Sequence, residues 1–382
     1  MSETSFRDKV LFTPGPLTTS LSVKAAMLRD LGSRDHEFVE LVRDTRRRLL
    51  ALAGTSQDAG FEAIPLQGSG TFAVEAVISS CVPRGRELLV IANGAYGRRM
   101  VAIAERHGIR TVAVEADDVA IPTSDSIEAA LAAHPGIAMV AAVHSETTTG
   151  LVNPIEAWGA IARRHRRLFF VDAMSSFGAL PIDLEAAGID FIVSSANKCI
   201  EGVPGFAFAI VRRDALIASE GSARTVSLDL LDQWRGLEAN GQFRFTPPTH
   251  ALLAFHRALL ELEQEGGVVA RGRRYARNHE LLVSGMRELG FEVVLDPAIQ
   301  GPIITSFFYP DDPRFDFARF YDLLNERGFA IYPGKLSRFD CFRIGTIGRI
   351  GDAEVRALVA AIGEAVGELG VTTVAGRGGV PA

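Results

Sequence analysis

Short apolar runs alternate along the chain with longer amphipathic stretches. The runs fall at residues 63–66, 88–92, 111–114, 137–143, 168–171, 190–193 and 206–211. Several are apolar at consecutive rather than alternate positions, the pattern of strands buried on both faces. Between them, residues 71–81, 97–107, 124–133 and 155–165 carry helical spacing, with Phe72, Val74, Val77 and Ile78 on one side of the first. Strand–helix alternation predicts an α/β fold with a mostly parallel sheet. In such a sheet the ligand sits outside the carboxyl ends of the strands.

The pattern changes after about Thr249. Helical spacing follows at 252–264 and 268–289, then strand-like pieces at 291–295 and 303–309. A helix is expected at 315–327, strands at 330–332 and 341–344, and a last helix at 352–369. These elements make a second, smaller α+β domain. The expected division is an N-terminal segment 1–20, a large domain 21–265, a small domain 266–370 and a flexible tail 371–382. Helix 40–52 carries Arg43, Arg46, Arg47 and Arg48, expected as a solvated or subunit-facing stripe.

Composition narrows the function classes. With 382 residues, 47% hydrophobic and 23% charged, the chain is neither disordered, collagen-like nor a coiled-coil rod. A net charge of -6 lacks the basic footprint of a nucleic-acid binder. Cys81, Cys199 and Cys341 lie far apart with no C-x-x-C pair, which argues against a disulfide framework or a zinc site. The first ten residues hold no secretory apolar segment, and runs such as 137–143 are too short to span a bilayer. A cytoplasmic enzyme with no metal and no nucleic-acid or membrane partner is expected.

The candidate chemistry sits at the strand ends. Asp172 closes an apolar strand and points a carboxylate toward the crevice, although an Asp there also caps turns. Lys198, in Ser194-Ser195-Ala196-Asn197-Lys198-Cys199, follows the next strand; it reads as a Schiff-base lysine or as a solvated surface lysine. As a pair they suit pyridoxal phosphate, the Lys joining the cofactor and the Asp keeping its ring nitrogen protonated. Gln67-Gly68-Ser69-Gly70-Thr71 sits between a strand and a helix, where backbone N–H groups and hydroxyls receive a phosphate or simply cap the helix. His144-Ser145-Glu146-Thr147-Thr148-Thr149-Gly150 offers hydroxyls to a phenolate oxygen, or makes a hydroxyl-capped turn beside a core histidine. Tyr96, in Asn93-Gly94-Ala95-Tyr96-Gly97, suits stacking on an aromatic cofactor or plain packing.

These motifs together resemble the class V aminotransferase group of fold-type I pyridoxal phosphate enzymes, over residues 11 to about 369. Further residues that carry the resemblance are 13–20, Ser227-Leu228-Asp229-Leu230, Gln233-Trp234-Arg235, 244–250, Ile331-Tyr332-Pro333-Gly334-Lys335 and Cys341-Phe342-Arg343-Ile344-Gly345. The resemblance implies a large domain with a mostly parallel seven-stranded sheet and a smaller α+β C-terminal domain. It implies a catalytic pair, Lys198 and Asp172, and a cofactor set of Ser69, Gly70, Thr71, Tyr96, Thr148, Asn197 and Thr246. Thr246 matches a residue that reaches the neighbouring subunit's cofactor, so a homodimer with shared sites is expected. Arg343 matches the arginine that grips the substrate carboxylate, with Gly15, Ser33 and Arg34 completing the anion site; Arg34 reads equally as a surface residue. The implied reaction passes an amino group from 2-aminoethylphosphonate to pyruvate. Alternatives are an alanine– or serine–glyoxylate transaminase and a lyase of the cysteine desulfurase kind. A desulfurase needs a mobile nucleophilic cysteine, and neither Cys199 nor Cys341 stands in a loop-like context.

Overall fold

A computed structural model describes residues 8–334, 336 and 339–375. Lys335 and residues 376–382 of the expected tail lie outside the described residues. The chain forms two compact units. The larger comprises Ser20–Glu146 and Val152–Gly272; the smaller takes the described residues before Ser20, Thr147–Leu151 and those from Arg273 onward.

Seven strands build the larger unit's sheet: β1 Phe61–Gln67, β2 Glu87–Ala92, β3 Arg110–Glu115, β4 Ile137–Val143, β5 Leu168–Asp172, β6 Phe191–Ser195 and β7 Phe206–Arg212. Their order is β1-β7-β6-β5-β4-β2-β3. Neighbours from β6 to β3 are parallel, whereas β7 runs antiparallel to both β6 and β1. Six of the strands are buried almost throughout, as their continuous apolar runs require, whereas in the edge strand β3 it is Val114 that is buried. The expected strand at 190–193 is displaced at both ends. Asp190 precedes it, its carboxylate accepting from Phe169 N–H at 2.9 Å. At the other end Ser194 and Ser195 remain in register opposite Phe208 and Ala207. Helix Leu230–Asn240 adds to the expected elements; Asp229 caps its start and Gly241, at φ +75°, ends it.

The arginine row on helix His36–Leu52 is not uniformly solvated. Arg46 shares the buried stripe of Val42, Thr45 and Leu49 and is 8% exposed. It donates to Ala63 O at 2.7 Å and pairs with Glu62 at 3.2 Å and Glu238 at 2.6 Å. A buried carboxylate on β1 draws this arginine inward; Arg43 and Arg47 pair with Glu40 and Asp44 at the surface, and Arg48, 18% exposed, pairs with Asp44 at 2.6 Å and with Glu263.

The smaller unit is an antiparallel sheet of β8 Ile304–Phe308, β9 Tyr332–Pro333 and β10 Cys341–Gly345, in the order β8-β10-β9. Phe307, Phe320, Phe342, Ile344, Leu358 and Ile362 form its core with helices Phe317–Glu326 and Asp352–Glu368. The expected strand at 291–295 reduces to one bridge, Val293 to Phe307. The expected strand at 330–332 splits, Phe329–Ala330 pairing in parallel with Val10–Leu11 and Tyr332 turning to Arg343. Among the described residues no helix is long and apolar enough to cross a membrane, and no acid, histidine or cysteine cluster could hold a metal ion.

Candidate active site

In the larger unit β1, β4, β5 and β6 bring Gln67, His144, Asp172 and the turn after Ser195 to one edge of the sheet, because all four run the same way. Asp172 is the last residue of β5 and is 4% exposed. Its Oδ1 accepts from Met174 N–H at 2.9 Å, and among the described residues it makes no ion pair. Burial pushes its carboxyl up to about 7 against the Met174 hydrogen bond; Glu146 adds to the rise, while Lys198 and Arg99 oppose it. Glu146 is fully buried, accepts from Tyr96 N–H at 3.3 Å and lies so close to Gly94 that a Cβ there would collide with it. Two buried carboxylates thus stand close enough to affect one another at this strand end. His144 lines the same edge, its Nδ1 2.9 Å from Ser176 Oγ; burial lowers its pKa to about 4, which keeps the ring neutral.

The Gly-Ser-Gly turn opens helix Gly70–Cys81. Ser69 is its N-cap residue but makes no side-chain capping bond, so the hydroxyl and the first N–H groups remain for an anion. Gly70 lies against Met174, where a Cβ would strike Met174 Sδ. Arg99 donates to Thr71 Oγ1 at 3.2 Å and lies 4.9 Å from the Tyr96 ring centre. Gln67 Nε2 donates to Phe245 O at 2.8 Å and Thr246 O at 3.3 Å, which brings the exposed Thr246 segment beside this turn. A buried carboxyl at a strand end and a helix start without a side-chain cap suit a protonated pyridine ring with a phosphate arm.

Lys198 lies in a tight turn after β6. Ala196 N–H donates to Phe206 O, Gly202 N–H returns to Ala196 O at 2.9 Å, and Glu201 N–H donates to Lys198 O at 2.7 Å. The Cys199 thiol donates to Ser175 O at 3.3 Å and Ser194 Oγ to Met174 O at 3.4 Å, stitching this turn to the one after Asp172. Asn197 and Lys198 are half-buried.

Arg343 sits on β10 of the smaller unit, 2% exposed. Its Nε donates to Pro333 O at 2.9 Å and its Nη1 to Thr147 O at 2.7 Å. The segment Thr147–Leu151 belongs to this unit, so the structure brings Thr148 together with Arg343. Ser306 Oγ holds Thr149 O at 2.9 Å, and Gly150, at φ +110°, lies so close to Ile304 O that a Cβ would collide with it. The turn bearing Gly15 meets the end of the same strand, where Gly345 N–H donates to Phe12 O at 2.9 Å. Ser33 and Arg34 lie in the larger unit, in the turn before helix His36–Leu52, with Arg34 exposed. Glu146 stands in the strand-end motif after His144 without an expected role of its own, and Arg99 lies outside every motif; its place one helical turn after Tyr96 is the signal that points to it.

Residues 18–341 match the model of the class V aminotransferase family. The chain belongs to that family. It is a pyridoxal phosphate-dependent aminotransferase. Among curated relatives, it is 51% identical over 358 residues to the 2-aminoethylphosphonate–pyruvate transaminases of Salmonella paratyphi C and Salmonella typhimurium, covering 93% of this chain and 97% of theirs. Among solved structures, the ureidoglycine–glyoxylate aminotransferase of Bacillus subtilis shares the fold at TM-score 0.88 and 23% identity, with 98% and 97% of the two chains covered. The alanine–glyoxylate aminotransferase of a Nostoc species does so at TM-score 0.87 and 25% identity, with 96% and 97% covered. A NifS-like protein of Rickettsia africae also has this fold, at TM-score 0.74 and 14% identity, with 94% and 99% covered.

Proposed function

We propose that this aminotransferase moves the amino group of 2-aminoethylphosphonate to pyruvate, giving phosphonoacetaldehyde and L-alanine in phosphonate degradation. The observation that carries this reading is the half-identity over nearly the whole chain to transaminases of that name. The glyoxylate enzymes share the fold at half that identity.

Pyridoxal phosphate, when bound, supplies the electron sink. Lys198 would carry it and would hold or pass the proton at its Nζ. Asp172 would keep the ring nitrogen protonated; its burial without an ion pair among the described residues supports that role. Ser69, Gly70 and Thr71 would hold the phosphate, Tyr96 would face the ring, Thr148 would donate to the ring oxygen, and Asn197 lies next to the lysine. Arg343 grips the substrate anion, phosphonate in one half-reaction and carboxylate in the other, because its planar fork suits either. Gly15, Ser33 and Arg34 complete that site.

The unit of function in this reading is a homodimer, with Thr246 reaching the partner's cofactor phosphate. Exposed apolar side chains on the larger unit support it: Leu21 at 82%, Leu28 at 86%, Val226 at 73% and Phe245 beside Thr246. A reducing, cytoplasmic setting fits three buried cysteines outside any disulfide. The same cysteines weigh against a desulfurase. Burial raises the Cys81 and Cys199 thiols to about 12 and also raises Cys341, the reverse of an activated nucleophile.

Incubation with 2-aminoethylphosphonate and pyruvate, scoring both products, tests the reading. Equal yields of alanine and phosphonoacetaldehyde are expected. Turnover only with alanine and glyoxylate would overturn it.

A further inference from the structure

The turn that carries Lys198 is held from a direction that no strand-end motif supplies. Arg271, in helix Gly267–Glu288, has a side chain 1% exposed. Its Nη1 donates to Cys199 O at 2.6 Å and stands 3.5 Å from Glu201 Oε1, and its Nε donates to Glu265 Oε2 at 2.7 Å. The guanidinium therefore grips the carbonyl of the residue that follows the lysine. Glu201 closes the same turn from inside, its N–H on the Lys198 carbonyl.

Glu201 is also conformationally unusual. Its φ is +65°, the left-handed region where an L side chain crowds its own backbone. A position that only had to turn the chain is best served there by Gly or Asn. Glu201 instead keeps a carboxylate, 4% exposed, and that carboxylate faces Arg271. Gly202 follows, where a Cβ would lie 2.8 Å from Ala196 O, so the turn has no slack to absorb a displacement of Glu201. A strained residue persists where its surroundings hold it, and such residues concentrate at functional sites. On the other side, the Cys199 thiol ties the turn to Ser175.

We propose that Arg271, acting with Glu201, is the positioning residue for Lys198. It fixes the main chain on the far side of the lysine, so that the flexible side chain alone moves during proton transfer. The proposal rests on the reading of Lys198 as the cofactor lysine. It assigns Arg271 no contact with substrate or cofactor.

The test compares holoenzymes of the wild type, K198A, R271M, R271K and E201Q. Three quantities are read: the pH midpoint of the visible lysine–cofactor band, the single-turnover decay of that band with L-alanine, and the apparent affinity for L-alanine. For R271M the decay should slow roughly tenfold or more and the midpoint should move by about one pH unit, while the apparent affinity changes less than about threefold. R271K should recover part of the rate, because a lysine reaches one acceptor but not all three. E201Q, nearly isosteric, should move both quantities in the same direction by less. R271M with wild-type midpoint and decay overturns the proposal. If R271M does not fold, E201Q decides, and wild-type values there overturn it. A wild type without the band, or a K198A enzyme that keeps it, overturns the reading of Lys198 and the proposal with it, a result distinct from the first two.

Discussion

The larger unit's strand end at Asp172 and the smaller unit's three-stranded sheet treat buried charge in different ways. In the first, Asp172 is buried without an ion pair among the described residues, beside Glu146, and its carboxyl is pushed up to about 7. In the second, Arg343 is just as buried but is aimed by the carbonyls of Pro333 and Thr147. Carbonyls orient the Arg343 guanidinium, whereas the Asp172 carboxyl is oriented by the Met174 N–H.

Removing the charge of Asp172 should have the largest effect. D172N is expected to lower kcat of the holoenzyme by about a thousandfold, through loss of the ring-nitrogen partner. Its effect on the cofactor-free protein runs the other way. Folded Asp172 keeps its proton up to about 7, whereas the unfolded carboxyl, at 3.8, has already lost it. Its contribution to stability is thus lost as pH rises between these values, a penalty of roughly 4 kcal/mol at pH 8. His144, lowered from 6.5 to about 4, has the opposite slope between those two values and masks the effect in the wild type. Denaturation of apo D172N and apo wild type across that range cancels His144. The difference should grow in favour of D172N from pH 4 to pH 8; a flat difference would mean that Asp172 is not held unpaired.

R343A should lose about a hundredfold in kcat/KM for both the phosphonate donor and pyruvate, with R343K between it and the wild type. Loss for only one anion would assign the other to a different residue. A smaller effect is expected at Glu146. E146Q removes a neighbouring negative charge, so Asp172 should titrate lower, by about one pH unit or less. C341S should be nearly silent, leaving transaminase turnover within about threefold of wild type. A collapse there would favour a cysteine-dependent reaction.

The sequence made the large sheet legible because parallel strands buried on both faces leave unbroken apolar runs, as at Ile137–Val143. It also showed Asp172, Lys198 and the Gly-Ser-Gly turn, since each sits next to such a run. Readings failed where a contact distant in sequence decides. Arg46 turns inward because Glu62 waits on a strand, and only the fold brings the two together. Thr147–Leu151 joins the smaller unit through Ser306 and Arg343, more than 150 residues away. Residues 291–295 look like a strand but find only Phe307 to bridge. Arg271 has no local signal, because its meaning lies in the carbonyl of Cys199.

Transfer of an amino group from a phosphonate to a keto acid through Lys198 can be followed in a single experiment. The direct measurement is the visible absorbance of the holoenzyme in one cuvette. The band should fall on addition of 2-aminoethylphosphonate, return on addition of pyruvate, and be absent in K198A. A band unmoved by 2-aminoethylphosphonate, but moved by alanine and restored by glyoxylate, would contradict the account.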